Sequence, residues 1–319
     1  IYALTMDGRT QTGLVACASI DDYLNNVIKK HENTRAEKEV DRIKHVDTLS
    51  AQTGPIFLAY RADEVITGAV NSTKESPCLY DFVSPDGIRH QVWKMTNESM
   101  VSDVAKAFES IDSIYIADGH HRAASAVKVG LKRREENPGF TGDEEFNFFL
   151  AVLFPDEELK ILPYNRVVKD LNGLSKEAFL SKVEENFELS MSDVPVSPDK
   201  KGTYGMFLDN TWYLLKAKGK ILSDDAVDGL DVAVLQNSLL EPVLGITDPK
   251  TDKRIDFVGG IRGLKELERR CSLDCVVAFS MYPTSISELF AVSDNNRLMP
   301  PKSTWFEPKL RSGLFIHRI

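Results

Sequence analysis

The segment from Ser113 to Arg122 limits most sharply what this chain can fold into. Residues 113–117 form a short apolar run that reads as a strand, and Asp118-Gly119 breaks it. From Arg122 to Glu136 the pattern turns helical, with Ala123, Ala126, Val127 and Leu131 on one side. Strand, tight turn and helix in immediate succession require a fold that mixes α and β. The rest of the chain agrees. Asp7-Gly8, Asp86-Gly87 and Asp209-Asn210 mark hairpins. A helix is expected from about Arg35 to Ala51, with Thr34 as N-cap and Glu37 three residues on. Strands are expected at residues 56–60, 146–154, 275–281 and 313–319. Helices are expected at residues 176–187, at residues 232–244 with Gly245 closing, and in a segment ending near Asn296.

With 319 residues, the chain predicts one large domain or two interleaved ones. The net charge of -9 matters for partners, because nucleic-acid binding draws on clustered Lys and Arg. Residues 128–134 and 250–254 are the nearest basic runs, both diluted, so no nucleic-acid partner is expected. Four cysteines form no CxxC pair, and Cys271 and Cys275 lack the second pair a zinc site needs. No apolar run approaches the roughly 18 residues that span a bilayer. A cytoplasmic protein without a membrane partner is expected. The sequence opens on Ile1-Tyr2-Ala3-Leu4 without an initiator Met, from which preceding residues are inferred to be missing.

Three segments carry groups suited to chemistry. His31-Glu32-Asn33-Thr34 precedes the first long helix, where the positive helix end favours an ionised carboxylate, so Glu32 is a candidate general base. A plain surface loop is the competing reading. In the second, Asp118-Gly119-His120-His121-Arg122, glycine permits the turn and helix-start N–H groups suit an anion. Its His and Arg add donors for a phosphate, and Asp118 adds a hard oxygen for magnesium. A helix cap and a transition-metal site remain alternatives, the metal being disfavoured because adjacent histidines point apart on a helix. The third, Met299-Pro300-Pro301-Lys302-Ser303-Thr304, sets an ammonium and two hydroxyls on a proline-stiffened loop, with no P-loop glycine frame. Zinc-protease, GxSxG and GxGxxG patterns are absent.

In that order, the three segments resemble the pattern of the free L-serine kinases with the ParB/sulfiredoxin-like fold. Over nearly its full length, including Leu162-Pro163-Tyr164-Asn165-Arg166, the chain also resembles a bacterial family catalogued as a conserved domain of unknown function. The resemblance implies an α+β, ParB/sulfiredoxin-like core. That core is expected at residues 1–155, followed by an intervening α+β region at 156–260 and a C-terminal segment, 261–319, that completes the site. It implies that Glu32 accepts the serine hydroxyl proton and that Asp118 sits at Mg2+ and the reacting phosphate, with His120 as a third catalytic residue. His31, Thr34, Gly119, His121 and Arg122, with Lys302, Ser303 and Thr304, would surround substrate and donor phosphates. The donor would be ATP, ADP or pyrophosphate. Two departures stand out: Trp305-Phe306-Glu307 follows where the kinases tend to have a basic residue, and residues 155–260 have no match in the smaller kinases. A nucleotide-binding regulator of the ParB type, without transfer chemistry, is the rival. A DNA-partition or nuclease role conflicts with the acidic balance. Oligomeric state is left open.

Overall fold

The computed structural model describes residues 1–34 and 36–319, so the expected helix start at Arg35 lies outside the described residues. The fold is α+β. Two units are formed, one from residues 1–160 and 308–319, the other from residues 161–307.

The first unit is built on an eight-stranded mixed sheet. Its order is Ile28–Lys29, Ile114–Asp118, Ile56–Tyr60, Phe148–Pro155, Arg9–Ser19, Tyr2–Met6, Arg89–Val92 and Tyr80–Val83. The Asp7-Gly8 and Asp86-Gly87 hairpins form as read, with Tyr2–Met6 paired antiparallel to Arg9–Ser19 and Tyr80–Val83 to Arg89–Val92. Ile56–Tyr60 and Ile114–Asp118 are fully or nearly fully buried, as apolar runs at the centre of a covered sheet should be. Against them packs the His120–Glu136 helix, which offers Ala123, Ala126 and Val127 to Leu58, Ile116, Ala151 and Leu153. Fully burying a Leu or Ile side chain contributes about 2 kcal/mol, so this layer is the unit's main source of stability. The helix lies close enough to the chain that a Cβ on Gly130 would meet the Phe146 carbonyl oxygen at 2.5 Å. Only glycine fits there.

The second unit is built on a six-stranded, wholly antiparallel sheet. Its order is Phe187–Ser192, Thr211–Ala217, Thr203–Leu208, Val277–Met281, Tyr164–Val168 and Ile255–Gly259. The Leu264–Leu273 helix seats Leu267 among Val167, Phe207, Trp212, Val258 and Ala278. Trp212, otherwise buried, donates its indole N–H to Glu268 at 2.8 Å. Serine caps open the Lys176–Asn186 and Ile286–Asp294 helices, the latter through a full capping box of Ser285 and Glu288.

Two expectations change. Residues 232–244 are not one regular helix: Asp231–Leu235 is α-helical and Gln236–Leu240 widens into a π turn before Gly245 closes it at φ +68°. The final strand shrinks to His317–Arg318, which pairs with Ala51–Gln52. All four cysteines are free. Burial pushes the Cys271 thiol up to about 12, so that thiol is inert at neutral pH. Among the described residues, no helix is long and apolar enough to cross a membrane.

Candidate functional site

The Ile114–Asp118 strand delivers Asp118 to the edge of a cleft of about 330 Å³ within the first unit. Its pairing with Ile56–Tyr60 slips between Phe57 and Leu58, opposite Asp118 and Ile116. Such a bulge re-aims the side chains beside it. The next residue, Gly119, takes φ +100° and ψ +27° and starts the His120–Glu136 helix with no side-chain cap. A Cβ there would stand 3.0 and 3.1 Å from Nε and Nη2 of Arg122, so glycine supplies both the backbone angle and the room for the guanidinium. The first helical bond runs from the Ala123 N–H to the Gly119 carbonyl at 2.9 Å. Helix-start N–H groups before it have no acceptor inside the helix, which makes this an anion-favouring end.

Two histidines meet behind the cleft. His31, 1% exposed, and His120, 5% exposed, pack edge to face with centroids 4.4 Å apart. The His31 backbone N–H donates to Nε2 of His120 at 3.4 Å. Neutral His120 therefore carries its proton on Nδ1, a tautomer inferred from that partner. Nδ1 lies 3.9 Å from Oε2 of Glu32, beyond hydrogen-bond length. Burial, joined by the positive fields of His31, His121 and Lys30, holds His120 well below the usual imidazole range. Burial also lowers His31 to about 4, against the opposing pull of Asp118 and the Ile116 backbone. Among the described residues neither ring nitrogen of His31 meets a partner at hydrogen-bond geometry, although the Ile116 backbone lies near enough to favour the charged form. At neutral pH this pair is uncharged.

The walls are charged. Asp118 Oδ2 receives the Lys309 ammonium at 3.0 Å. Burial lowers Arg122 below its ordinary value, Asp118 opposes this, and the like charge of Arg42 adds to it. Among the described residues neither Arg42 nor Arg122 forms an ion pair, and both line the cleft with His45 and Ser312. Two guanidinium groups that form no ion pair among the described residues line one cleft, and such groups suit an anion.

Of the residues singled out in the sequence, Glu32, Asp118, Gly119, His120, His121 and Arg122 line this one cleft. His31 lies behind it. Thr34 is turned to the Glu39 carboxylate, which its hydroxyl helps hold low after the larger effect of Lys128. Lys302, Ser303 and Thr304 belong to the second unit, where Ser303 is buried and its hydroxyl donates to the Pro300 carbonyl at 2.6 Å. Sequence reading missed Arg42, His45 and Lys309. The helical face of Arg42 and His45 reads as solvated, and Lys309 stands 191 positions from the carboxylate it meets.

Residues 1–233 match the family described as protein of unknown function (DUF1015), and the chain belongs to that family. No curated protein matches it. Among solved structures it is similar to a free serine kinase variant in complex with ADP, at 12% identity, covering 95% of this chain and 93% of that one, with a TM-score of 0.43. A C-terminally truncated SbnI from Staphylococcus aureus matches at 12% identity, with 92% and 82% covered and a TM-score of 0.47. A conserved hypothetical protein from Pyrococcus furiosus matches at 13% identity, with 94% of each chain covered and a TM-score of 0.41.

Proposed function

We propose that the chain is a phosphotransferase that moves a phosphoryl group from ATP, ADP or pyrophosphate to the hydroxyl of free L-serine. What carries the reading is the single cleft in which the uncapped start of the His120–Glu136 helix, Arg122 and Arg42 lie together with Glu32 and Asp118. Cationic and dipolar groups at one wall suit the donor phosphate, and a carboxylate that a neutral imidazole can orient suits a hydroxyl acceptor. Phosphoryl transfer asks for little more than positioning and charge neutralisation.

The serine hydroxyl oxygen attacks phosphorus in line, the bond from phosphorus to the donor's leaving oxygen breaks, and Glu32 takes the hydroxyl proton. His120 turns Nδ1–H toward Glu32 and so acts by aligning the base, with its other nitrogen engaged by His31. Arg122, Arg42 and the amides of His120 and His121 hold the donor phosphate. Lys302, Ser303 and Thr304 are assigned to donor phosphates by the resemblance alone.

Magnesium keeps several waters and takes one or two carboxylates plus substrate phosphates, so Asp118 beside an anion site fits it. Among the described residues no group of three His, Cys, Asp or Glu side chains gathers as a cage, which such a site does not need. Bound there, the ion would neutralise phosphate charge, and Lys309 would yield its contact with Asp118.

The Asp118–Lys309 ion pair also favours a second reading, a nucleotide-binding regulator whose aspartate stays neutralised and which transfers nothing. Incubating the full chain with magnesium, L-serine and each of the three donors tests the first. O-phospho-L-serine is expected with at least one donor. None with any of them overturns the kinase reading.

A further inference from the structure

Residues 308–319 belong to the first unit and run along it as a strap, one of whose residues, Ser312, lines the cleft. The strap is tied along its length. The Gly313 N–H donates to the Thr53 carbonyl at 2.6 Å, His317 pairs with Gln52, and the Ile319 N–H donates to the Ser50 carbonyl at 2.9 Å. Arg311 holds it to the Tyr80–Val83 and Arg89–Val92 hairpin. It pairs with the Asp86 carboxylate and donates to Ser84 Oγ at 3.1 Å and to Nε2 of the buried His90 at 3.3 Å. A segment anchored at this many points is a fixed wall.

Two strap side chains reach the cationic wall of the cleft. Ser312 and Arg122 converge at Gly54, where a Cβ would meet Ser312 Oγ at 2.9 Å and Arg122 Nη1 at 3.4 Å. Lys309 sets its ammonium 3.0 Å from Asp118 Oδ2, with 43% of the lysine side chain and 38% of the aspartate's exposed. An ion pair this open to water is weak and screened by salt, so a second anion displaces the carboxylate at little cost. Lysine suits the exchange, because its ammonium is a compact charge on a flexible stem and its donors need no fixed plane. The charge moves while the strap stays.

The position of Asp118 makes such a movement useful. It ends its strand immediately before Gly119, which starts the uncapped His120–Glu136 helix. A phosphate bound at that helix start brings its negative charge up against the Asp118 carboxylate, and like charges at close range repel. A cation that serves both relieves the repulsion, and Lys309 is already within reach of both.

We propose that Lys309 is a further phosphate-contacting residue, whose ammonium turns from Asp118 to the donor phosphate when that phosphate enters the cleft. This rests on the reading of the cleft as a donor-phosphate site. The contact with Asp118 is then the resting position of a mobile cation carried on a fixed strap.

The test uses the full chain, inorganic pyrophosphate and magnesium, with two readouts that do not depend on turnover. The first needs no variant: acylation of Lys309 is measured by mass spectrometry against Lys216, an exposed lysine of the other unit. Saturating pyrophosphate is expected to lower the relative reactivity of Lys309 about fivefold, because its ammonium gains a stronger anion. An ammonium merely pushed off Asp118 would enter water and react faster, so a rise, or no change, overturns the proposal. The second is calorimetry on Lys309→Met, in which the pyrophosphate Kd is expected to weaken about fivefold. An unchanged Kd also overturns it. Both changes, with no phosphoserine from any donor, leave the Lys309 contact standing while the kinase reading falls. Phosphoserine formed with neither change does the opposite.

Discussion

Two turns of this molecule leave the ordinary backbone regions in different ways. At the first, in the eight-stranded unit, Gly119 carries the positive φ and the neighbouring Arg122 folds over the space a side chain would fill. At the second, in the antiparallel unit, Lys302 carries it, and a buried Arg166 holds the strained residue in place. Where the backbone alone is wanted, glycine gives the angle without strain. Where a lysine takes a positive φ instead, the angle costs about 1–2 kcal/mol. Each unit also buries a titratable group whose protonation opposes the other's: the first holds His31 and the second Asp231.

That last difference gives the largest expected effect. His31 is lowered to about 4, so above the unfolded value near 6.5 it costs nothing, and as pH falls from there to 4 the unfolded chain gains a proton that the native state refuses. The first unit should lose roughly 3 kcal/mol over that window. Asp231 behaves in the opposite sense. Burial raises it to about 6, against two hydrogen bonds from the Gly202 N–H, so its native state keeps a proton that the unfolded chain loses above about 4. The second unit should lose stability as pH rises through 6, by a similar amount. Peptide-level hydrogen exchange between pH 4 and 7, corrected for intrinsic rates, reads both. Protection of Ile114–Asp118 should fall toward acid and protection of Thr203–Leu208 should rise. Parallel trends break the comparison.

Gly119→Ala comes next. The strained φ and the contact with Arg122 predict a loss of about 2 kcal/mol in denaturant unfolding, with pyrophosphate binding weakened about a hundredfold by calorimetry. Retained binding would show that this turn does not hold the phosphate. Lys302→Gly should do the reverse to stability, raising it by up to about 1 kcal/mol. A destabilised Lys302→Gly protein would mean that the positive φ stores no strain. The smallest effect belongs to Lys309→Met. The half-exposed pair with Asp118 is worth about 0.5 kcal/mol or less, but freeing the carboxylate should strengthen apparent magnesium binding.

The strand-turn-helix unit was legible because Asp118-Gly119 punctuates it, and the hairpins because their Asp-Gly and Asp-Asn turns do. The burial of His120 is not among the sequence readings, although its spacing is consistent with it. With Ala123, Ala124 and Val127 it recurs at helical spacing, and all four residues are buried. Other features leave no local trace. Residues 232–244 are apolar enough for either an α-helix or the π turn that forms at Gln236–Leu240. The burial of Arg166 depends on carbonyls brought by a distant turn, and the Lys309 contact on a segment that returns to the first unit after residues 161–307.

The phosphotransferase reading is tested most directly by Glu32→Gln in the full chain, with phosphoserine formation and donor affinity measured on the same preparation. Turnover should fall by about a hundredfold or more, and the donor Kd should stay within about twofold, because the lost carboxylate takes the acceptor's proton and holds no phosphate. Turnover left intact in the variant, with donor binding also unchanged, would contradict it.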